Sequence, residues 1–320
     1  MKRILIYALL LGAMISCYKQ GNQFDENLPE KVKLSISLPQ ASTKMADVGN
    51  DANVKNVQVF VFRSSGDLDT YAYSTTTSFD LTCTTGPKKI YALVNAPDLS
   101  SITNLSGLQN ASSNLIDNKR EGLIMVKDTT LNVLTDMSLN LKMKRLAARI
   151  CLKSIQNSME SQQHKNMSFK VNSIYLINVV GDRRYFSATT PTVWYNKLER
   201  TTELGRLLSD DLVNNQIGYG ETYNTNHYFY CYPNSQSEDS SSSTWSPRYT
   251  RLVVEANFGG KLCYYPVSIP NIQQNKAYSI SLVVTIPGST SPDNPIEKIN
   301  QGITIEVEEW EISEEIVETI

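Results

Sequence analysis

Apolar side chains on every second residue recur in short stretches along this chain, and that period of two leaves few architectures other than stacked β-sheets. Val32, Leu34, Ile36 and Leu38 alternate with Lys33, Ser35 and Ser37. Successive residues of a strand point to opposite faces, so this segment reads as a strand with one buried face. Val57, Val59 and Val61 alternate too, but Phe60 and Phe62 fill the gaps, and this strand is expected to be covered on both faces. Ser64-Ser65-Gly66-Asp67 reads as a turn. Residues 76–83 and 88–95 read as strands around a turn at Gly86-Pro87, and Leu139, Leu141 and Met143 resume the alternation. Further candidate strands are 148–155, 168–179, 225–232, 250–257, 262–269, 277–285 and 302–312. Leu99 to Leu115 is polar with spaced apolar residues and fits one short helix, while 40–53 and Ser237 to Ser243 are polar loops. Many short strands with turn signals between them predict an all-β chain of sandwich type with at most one or two short helices.

The N-terminus follows a different rule. Met1-Lys2-Arg3 is basic, and Ile4 to Ser16 is uncharged and apolar. Thirteen residues rise only about 20 Å as a helix, short of a ~30 Å hydrocarbon core, so the segment reads as a secretory leader rather than a membrane span. It ends in Met14-Ile15-Ser16-Cys17, which resembles a bacterial lipoprotein signal with Cys17 as the lipidated residue. Multiple acyl chains on Cys17 would anchor the chain stably. The expected organisation is a signal peptide at 1–16, a tether at 17–30, a sandwich at 31–146, a second at 147–308, and a C-terminal segment at 309–320.

The 320 residues suffice for two domains of ~100–200 residues each. With 41% hydrophobic and 19% charged residues and a net charge of −2, the composition is that of a folded chain with no basic field for nucleic acid. Tyrosine dominates the aromatics, 17 against 8 phenylalanines and 3 tryptophans, which suits half-buried β-structure. The chain has no HExxH, GxSxG, Walker A or GxGxxG. Asp210-Asp211 and Glu314-Glu315 are sequence neighbours, which a strand turns to opposite faces, so they read as solvated charges and not as a paired acid and base. His164 sits in a polar run that reads as a loop, and His227 among tyrosines reads as a packing residue. Cys83, Cys151, Cys231 and Cys263 show no zinc spacing. Cys231 and Cys263 lie in strand-like runs and read equally well as a disulfide or as two small buried residues. No metal, no cofactor and no catalytic residue is expected.

Several phrases then add up to a resemblance. Val57-Gln58-Val59-Phe60-Val61-Phe62, Tyr91-Ala92-Leu93-Val94-Asn95-Ala96 and Lys144-Arg145-Leu146-Ala147-Ala148-Arg149-Ile150 occur in the first half. Tyr228-Phe229-Tyr230-Cys231-Tyr232-Pro233-Asn234, Thr250-Arg251-Leu252-Val253-Val254-Glu255, Tyr264-Tyr265-Pro266-Val267 and Ile303-Thr304-Ile305-Glu306-Val307-Glu308-Glu309-Trp310 follow in order. With the lipoprotein signal, this series resembles the fimbrillin family of Bacteroidales, the type V pilins. The resemblance implies two transthyretin-like β-sandwich domains, export as an outer-membrane lipoprotein, and assembly into a surface fimbria with a role in adhesion. It implies that a protease cuts after the first strand and that a strand from the C-terminal end of another subunit fills the vacated groove. Anchor members keep their lipid, and tip members tend to lack a free donor strand.

Carried onto this chain, the strand to be displaced is Val32, Leu34, Ile36 and Leu38. Re-burying four such side chains is worth roughly 6–12 kcal/mol before ordering costs. Members that polymerise usually offer an arginine in the loop after the first strand. Here no arginine lies between Arg3 and Arg63, and Lys44, followed by Met45, takes that place. At the other end, Ile303, Ile305 and Val307 alternate, and Trp310 and Ile312 continue after a one-residue shift of the kind a β-bulge makes. Residues 302–308 read as the last strand of the second domain, and Trp310, Ile312, Ile316 and Ile320 as the donor. The tail is acidic, and Lys142, Lys144, Arg145 and Arg149 form a basic cluster that would steer it. The expected partners are other pilin subunits, the membrane through Cys17 before processing, and a host or bacterial surface ligand. Stalk, tip and anchor roles stay open. So does a surface glycan-binding sandwich, in which the tyrosines and Trp245 would form a stacking platform.

Overall fold

A computed structural model describes residues 30–39, 42–43, 51–237, 239–240, 242–294, 301–310 and 312–313. Its first half runs β1 (Lys31–Ser37), β2 (Ser42–Thr43), β3 (Val57–Arg63), β4 (Leu68–Ser74), β5 (Ser78–Thr84), β6 (Gly86–Val94), helix α1 (Leu105–Asn110), β7 (Ser112–Asn114), β8 (Met125–Val133), β9 (Met137–Asn140) and β10 (Lys144–Arg145). The second half runs β11 (Ala148–Asn157), the single helical turn α2 (Gln162–Lys165), β12 (Phe169–Ile177), β13 (Val179–Val180), β14 (Asp182–Arg184), β15 (Trp194–Tyr195), β16 (Ser209–Gln216), β17 (Thr222–Tyr223), β18 (His227–Cys231), β19 (Thr250–Phe258), β20 (Lys261–Ile269), β21 (Lys276–Val284), β22 (Gln301–Glu309) and β23 (Ile312–Ser313). The fold is all-β, two transthyretin-like sandwiches with two short helices among the described residues.

In the first half, a three-stranded sheet in the order β5-β1-β9 lies on a five-stranded sheet in the order β10-β8-β6-β3-β4. The inward faces meet in one cluster, with Val32, Leu34 and Ile36 of β1 against Val57, Val59 and Val61 of β3. The other face of β3 is covered as well. Phe60 and Phe62 join a second cluster with Leu105 and Leu108 of α1, which explains the unbroken apolar run. Asn104 caps α1 by accepting the Gly107 amide at 2.8 Å. In the second half, β17-β11-β21-β22, with β18 also on β11, faces β16-β12-β19-β20. The two halves touch directly. Leu146 and Ala147, the expected boundary, have no exposed surface, β7 pairs with β14 across the halves, and Tyr232 Oη meets Ser113 Oγ at 2.6 Å.

Some readings are corrected. Gly86-Pro87 opens β6 and is not a turn between strands. Gly86 adopts φ +105°, and β3 pairs with β6 only from Lys88 onward, so the missing Pro87 amide faces no partner strand on that side. His164 lies in the α2 turn, not in a loop. The basic cluster is divided: Lys144 is exposed, whereas Arg145 and Arg149 point inward and are buried. Asp210 is not solvated; it faces His227, while Asp211 on the opposite face binds Arg200 at 2.6 Å. Cys231 and Cys263 are both free thiols, buried like Cys83 and Cys151.

Candidate functional site

β1 forms because its alternating side chains divide cleanly between core and water. Val32, Leu34, Ile36 and Leu38 are buried, Lys31 and Lys33 are exposed. Its position in the sheet matters more. β1 is the middle strand of three, antiparallel to β5 from Lys31↔Thr84 to Ser37↔Ser78 and parallel to β9 from Leu34↔Met137 to Ser37↔Asn140. Hydrogen bonds continue past both ends: Thr85 N–H donates to Glu30 O at 2.7 Å, Leu38 N–H to Thr77 O at 2.8 Å and Leu141 N–H to Ser37 O at 2.9 Å. Taking β1 away therefore splits its sheet and leaves a slot with an unpaired strand edge on each bank. The floor of that slot is apolar, formed by Val57, Val59, Val61, Ile90 and Val94, with Leu81 at the side. Such a slot is a template for an incoming strand, with main-chain bonds on both sides and pockets for alternate side chains.

The other end of the chain is held differently. Among the described residues β22 is an edge strand, paired with β21 alone from Lys276↔Glu309 to Val284↔Gln301. Ile303 and Ile305 are half-buried and Val307 is exposed, lining with Ile269, Pro270 and Tyr278 a groove of about 360 Å³. Trp310, just beyond, has no exposed surface. Its amide donates to Asn275 O at 3.0 Å, its ring stacks on Tyr230 with centroids 5.9 Å apart, and the guanidinium carbons of Arg145 and Arg149 lie 4.3 and 4.8 Å from its ring centre. Asp51 sits beneath, accepting from Arg145 and Arg149 at 3.4 Å each and from Tyr230 Oη at 3.1 Å. Burial pushes the Tyr230 phenol far above its usual range, and the Asp51 charge adds to the rise. β23 pairs with β2 through Ser42↔Ser313 and Thr43↔Ile312.

Of the residues singled out by sequence, the structure brings Val32, Leu34, Ile36 and Leu38 together on one face and places Trp310 inside this chain's own core. Cys17, Lys44, Met45, Ile316 and Ile320 lie outside the described residues, and of Ile312 only the backbone is described. Asp51 was read as part of a polar loop. Its role as counter-ion to two buried arginines has no local signature, because its partners are 94 and 98 residues away.

Other polar clusters serve the scaffold. His227 Nδ1 meets Asp210 Oδ2 at 3.1 Å and its Nε2 meets Tyr223 Oη at 2.8 Å, which ties β16 to β17 and β18 across the sandwich. Burial raises all four thiol pKa values, Cys231 up to about 12, so they are poor nucleophiles. Trp245 is half-buried, with Trp194 edge-on at 5.6 Å and Lys197 Nζ 4.5 Å over its ring. Among the described residues no three His, Cys, Asp or Glu side chains are placed to hold a metal ion, and no helix is long and apolar enough to cross a membrane.

Comparison with known proteins fits this geometry. Residues 32–168, from β1 to the start of the second sandwich, match the family model described as major fimbrial subunit protein (FimA). Over 305 aligned positions the chain is 25% identical to the major fimbrium subunit FimC of Porphyromonas gingivalis, covering 87% of this chain and 62% of the relative. The first half of the chain is similar to the major fimbrial subunit family. The chain spans 62% of the length of that curated relative. The fold is found again in solved structures. A fimbrilin (FimA) from Porphyromonas gingivalis matches with TM-score 0.63 at 16% identity, covering 88% of this chain and 98% of the other. A candidate cell adhesion protein from Bacteroides eggerthii matches with TM-score 0.68 at 19% identity over 89% of this chain and 98% of the other. A tip fimbrial protein from Porphyromonas gingivalis, truncated at its C-terminus, matches with TM-score 0.56 at 14% identity over 88% and 100%.

Proposed function

We propose that this chain is a fimbrillin, a structural subunit of a cell-surface fimbria, exported as a lipoprotein acylated at Cys17 and joined to its neighbours by strand exchange. Proteolysis after Lys44 removes residues 1–44, β1 among them, and Met45 becomes the new N-terminus. The C-terminal segment of another subunit then enters the slot. Trp310, Ile312, Ile316 and Ile320 are the donor side chains, and Trp310 must first leave its seat in its own molecule. Residues 31–146 supply the acceptor, 147–308 carry the donor, and 309–320 form it. Other subunits are the partners, and adhesion to a host or bacterial surface is the biological output.

The observation that carries this reading is the place of β1 between β5 and β9: an edge strand would leave one open ladder, whereas this one leaves two and an apolar floor. The test is the N-terminus of the protein recovered from the cell surface, read by mass spectrometry, together with the behaviour of a chain that begins at Met45. A start at Met45 and a ladder of oligomers are expected. A start at acylated Cys17 with no ladder would overturn the polymerising role and leave an anchor subunit that keeps its first strand.

A further inference from the structure

Two contacts bring the segment that follows β1 against the far end of the chain. The backbone of Ser42 and Thr43 in β2 pairs antiparallel with Ser313 and Ile312 in β23. Asp51, a little further along, is fully buried and takes hydrogen bonds from the two guanidiniums that flank Trp310. Arg145 closes the circle. Its amide donates to Asn275 Oδ1 at 2.9 Å, its Nη1 to Trp310 O at 3.4 Å, and Asn275 O receives the Trp310 amide. The stretch just before Trp310 has a weaker hold: among the described residues β22 has one neighbour strand, and Val307 is exposed. The C-terminal strand is thus a lightly held edge, pinned at its last residues by the segment next to β1.

We propose that the segment following β1 is a strap that keeps the C-terminal strand on its own molecule until β1 has left. This rests on the strand-exchange reading above and adds its order of events. An edge strand opens from its ends, and here the free end is closed by β2 and by the Trp310 seat. When β1 departs, β2 goes with it, and β23 loses its backbone partner. Asp51 then follows a free terminus instead of lying within a chain fixed on both sides. Weakening its hold takes away the acceptor that Arg145, Arg149 and Tyr230 share beside Trp310, which favours opening around Trp310. A copy whose slot is still filled withholds its tail, and the event that creates the acceptor also releases the donor.

Hydrogen exchange on the intact, uncut chain tests the strap without any assembly step. Ser42→Pro combined with Thr43→Pro removes both amide donors of β2, and Asp51→Asn removes the charge. In each variant the amides of Gln301–Glu309 should exchange at least tenfold faster, while those of Lys31–Ser37 in β1 keep the parent rate. Parent rates across Gln301–Glu309 in both variants would overturn the proposal. If Asp51→Asn does not fold, the double proline variant decides alone. Because the readout is on a monomer, a chain beginning at Met45 that fails to polymerise would refute strand exchange and leave the strap standing. A polymerising chain with no change in exchange would do the reverse.

Discussion

Leu34 lies in the middle of β1 with no exposed surface, and its loss should be felt throughout the first sandwich. Leu34→Ala is expected to cost about 2–5 kcal/mol in denaturant unfolding of the intact chain. Leu262→Ala, at a half-exposed position, should change stability by no more than about 0.5 kcal/mol. Equal effects at the two sites would refute the seat described for β1. Asp69 carries a second residue-scale prediction. Burial works to raise its pKa, but the Thr84 amide and hydroxyl and the Lys88 ammonium, 3.0 Å away, outweigh it and hold the carboxyl below its ordinary 3.8. A folded-state pKa below the unfolded one gives stability that is complete above about pH 3.8 and is lost as the pH falls through the folded value. Asp69→Asn should therefore lower stability at neutral pH and flatten its decline in acid; an unchanged slope below about pH 4 would count against the assignment. At this scale the sequence is least informative. The Val32, Leu34, Ile36 and Leu38 stripe is visible as a local period of two, but Asp51, Arg145, Arg149 and Trp310 meet only after two sheets have folded.

A strand seated between two neighbours should be replaceable by its own peptide. A chain beginning at Met45 is expected to melt earlier than the intact one, and a peptide of residues 31–39 should restore its melting temperature. The same peptide with Leu34→Asp should not, since a carboxylate would replace the most buried side chain; rescue by both peptides would show that backbone pairing alone fills the slot. The elements legible in advance were those with an apolar alternation or an apolar run, such as β1, β12, β19 and β20. Three of the longer strands escaped notice for reasons of their own, beside several strands of two or three residues. β4 and β16 are sheet edges with mixed polar sequences, and Val213 of β16 is almost fully exposed. β8 lies inside a sheet, but its Lys127 to Asn132 stretch buries little, and its pairing with β6 carries it in place of hydrophobic patterning.

Across the whole molecule, the two halves share one continuous core through Leu146, Ala147 and Ala148, so a force on the second sandwich is transmitted to the first without a soft hinge at that point. The acidic tail and the lysines near the slot should affect how fast copies meet. Lys142→Glu with Lys144→Glu is expected to slow assembly of the chain beginning at Met45 at low salt, with the difference vanishing near 1 M salt, where the screening length is about 3 Å. A rate unchanged by the substitutions would remove steering from the account. The slot also has a compass. One bank, β5, runs opposite to the native occupant over seven residues, and the other, β9, runs with it over four. A guest entering head-first or tail-first meets one bank of each sense, but antiparallel pairing is the more stable per residue, and only the native heading lays it along the longer bank. Unequal banks thus set a single heading for the incoming strand, and lengthening β9 to match β5 would erode that preference.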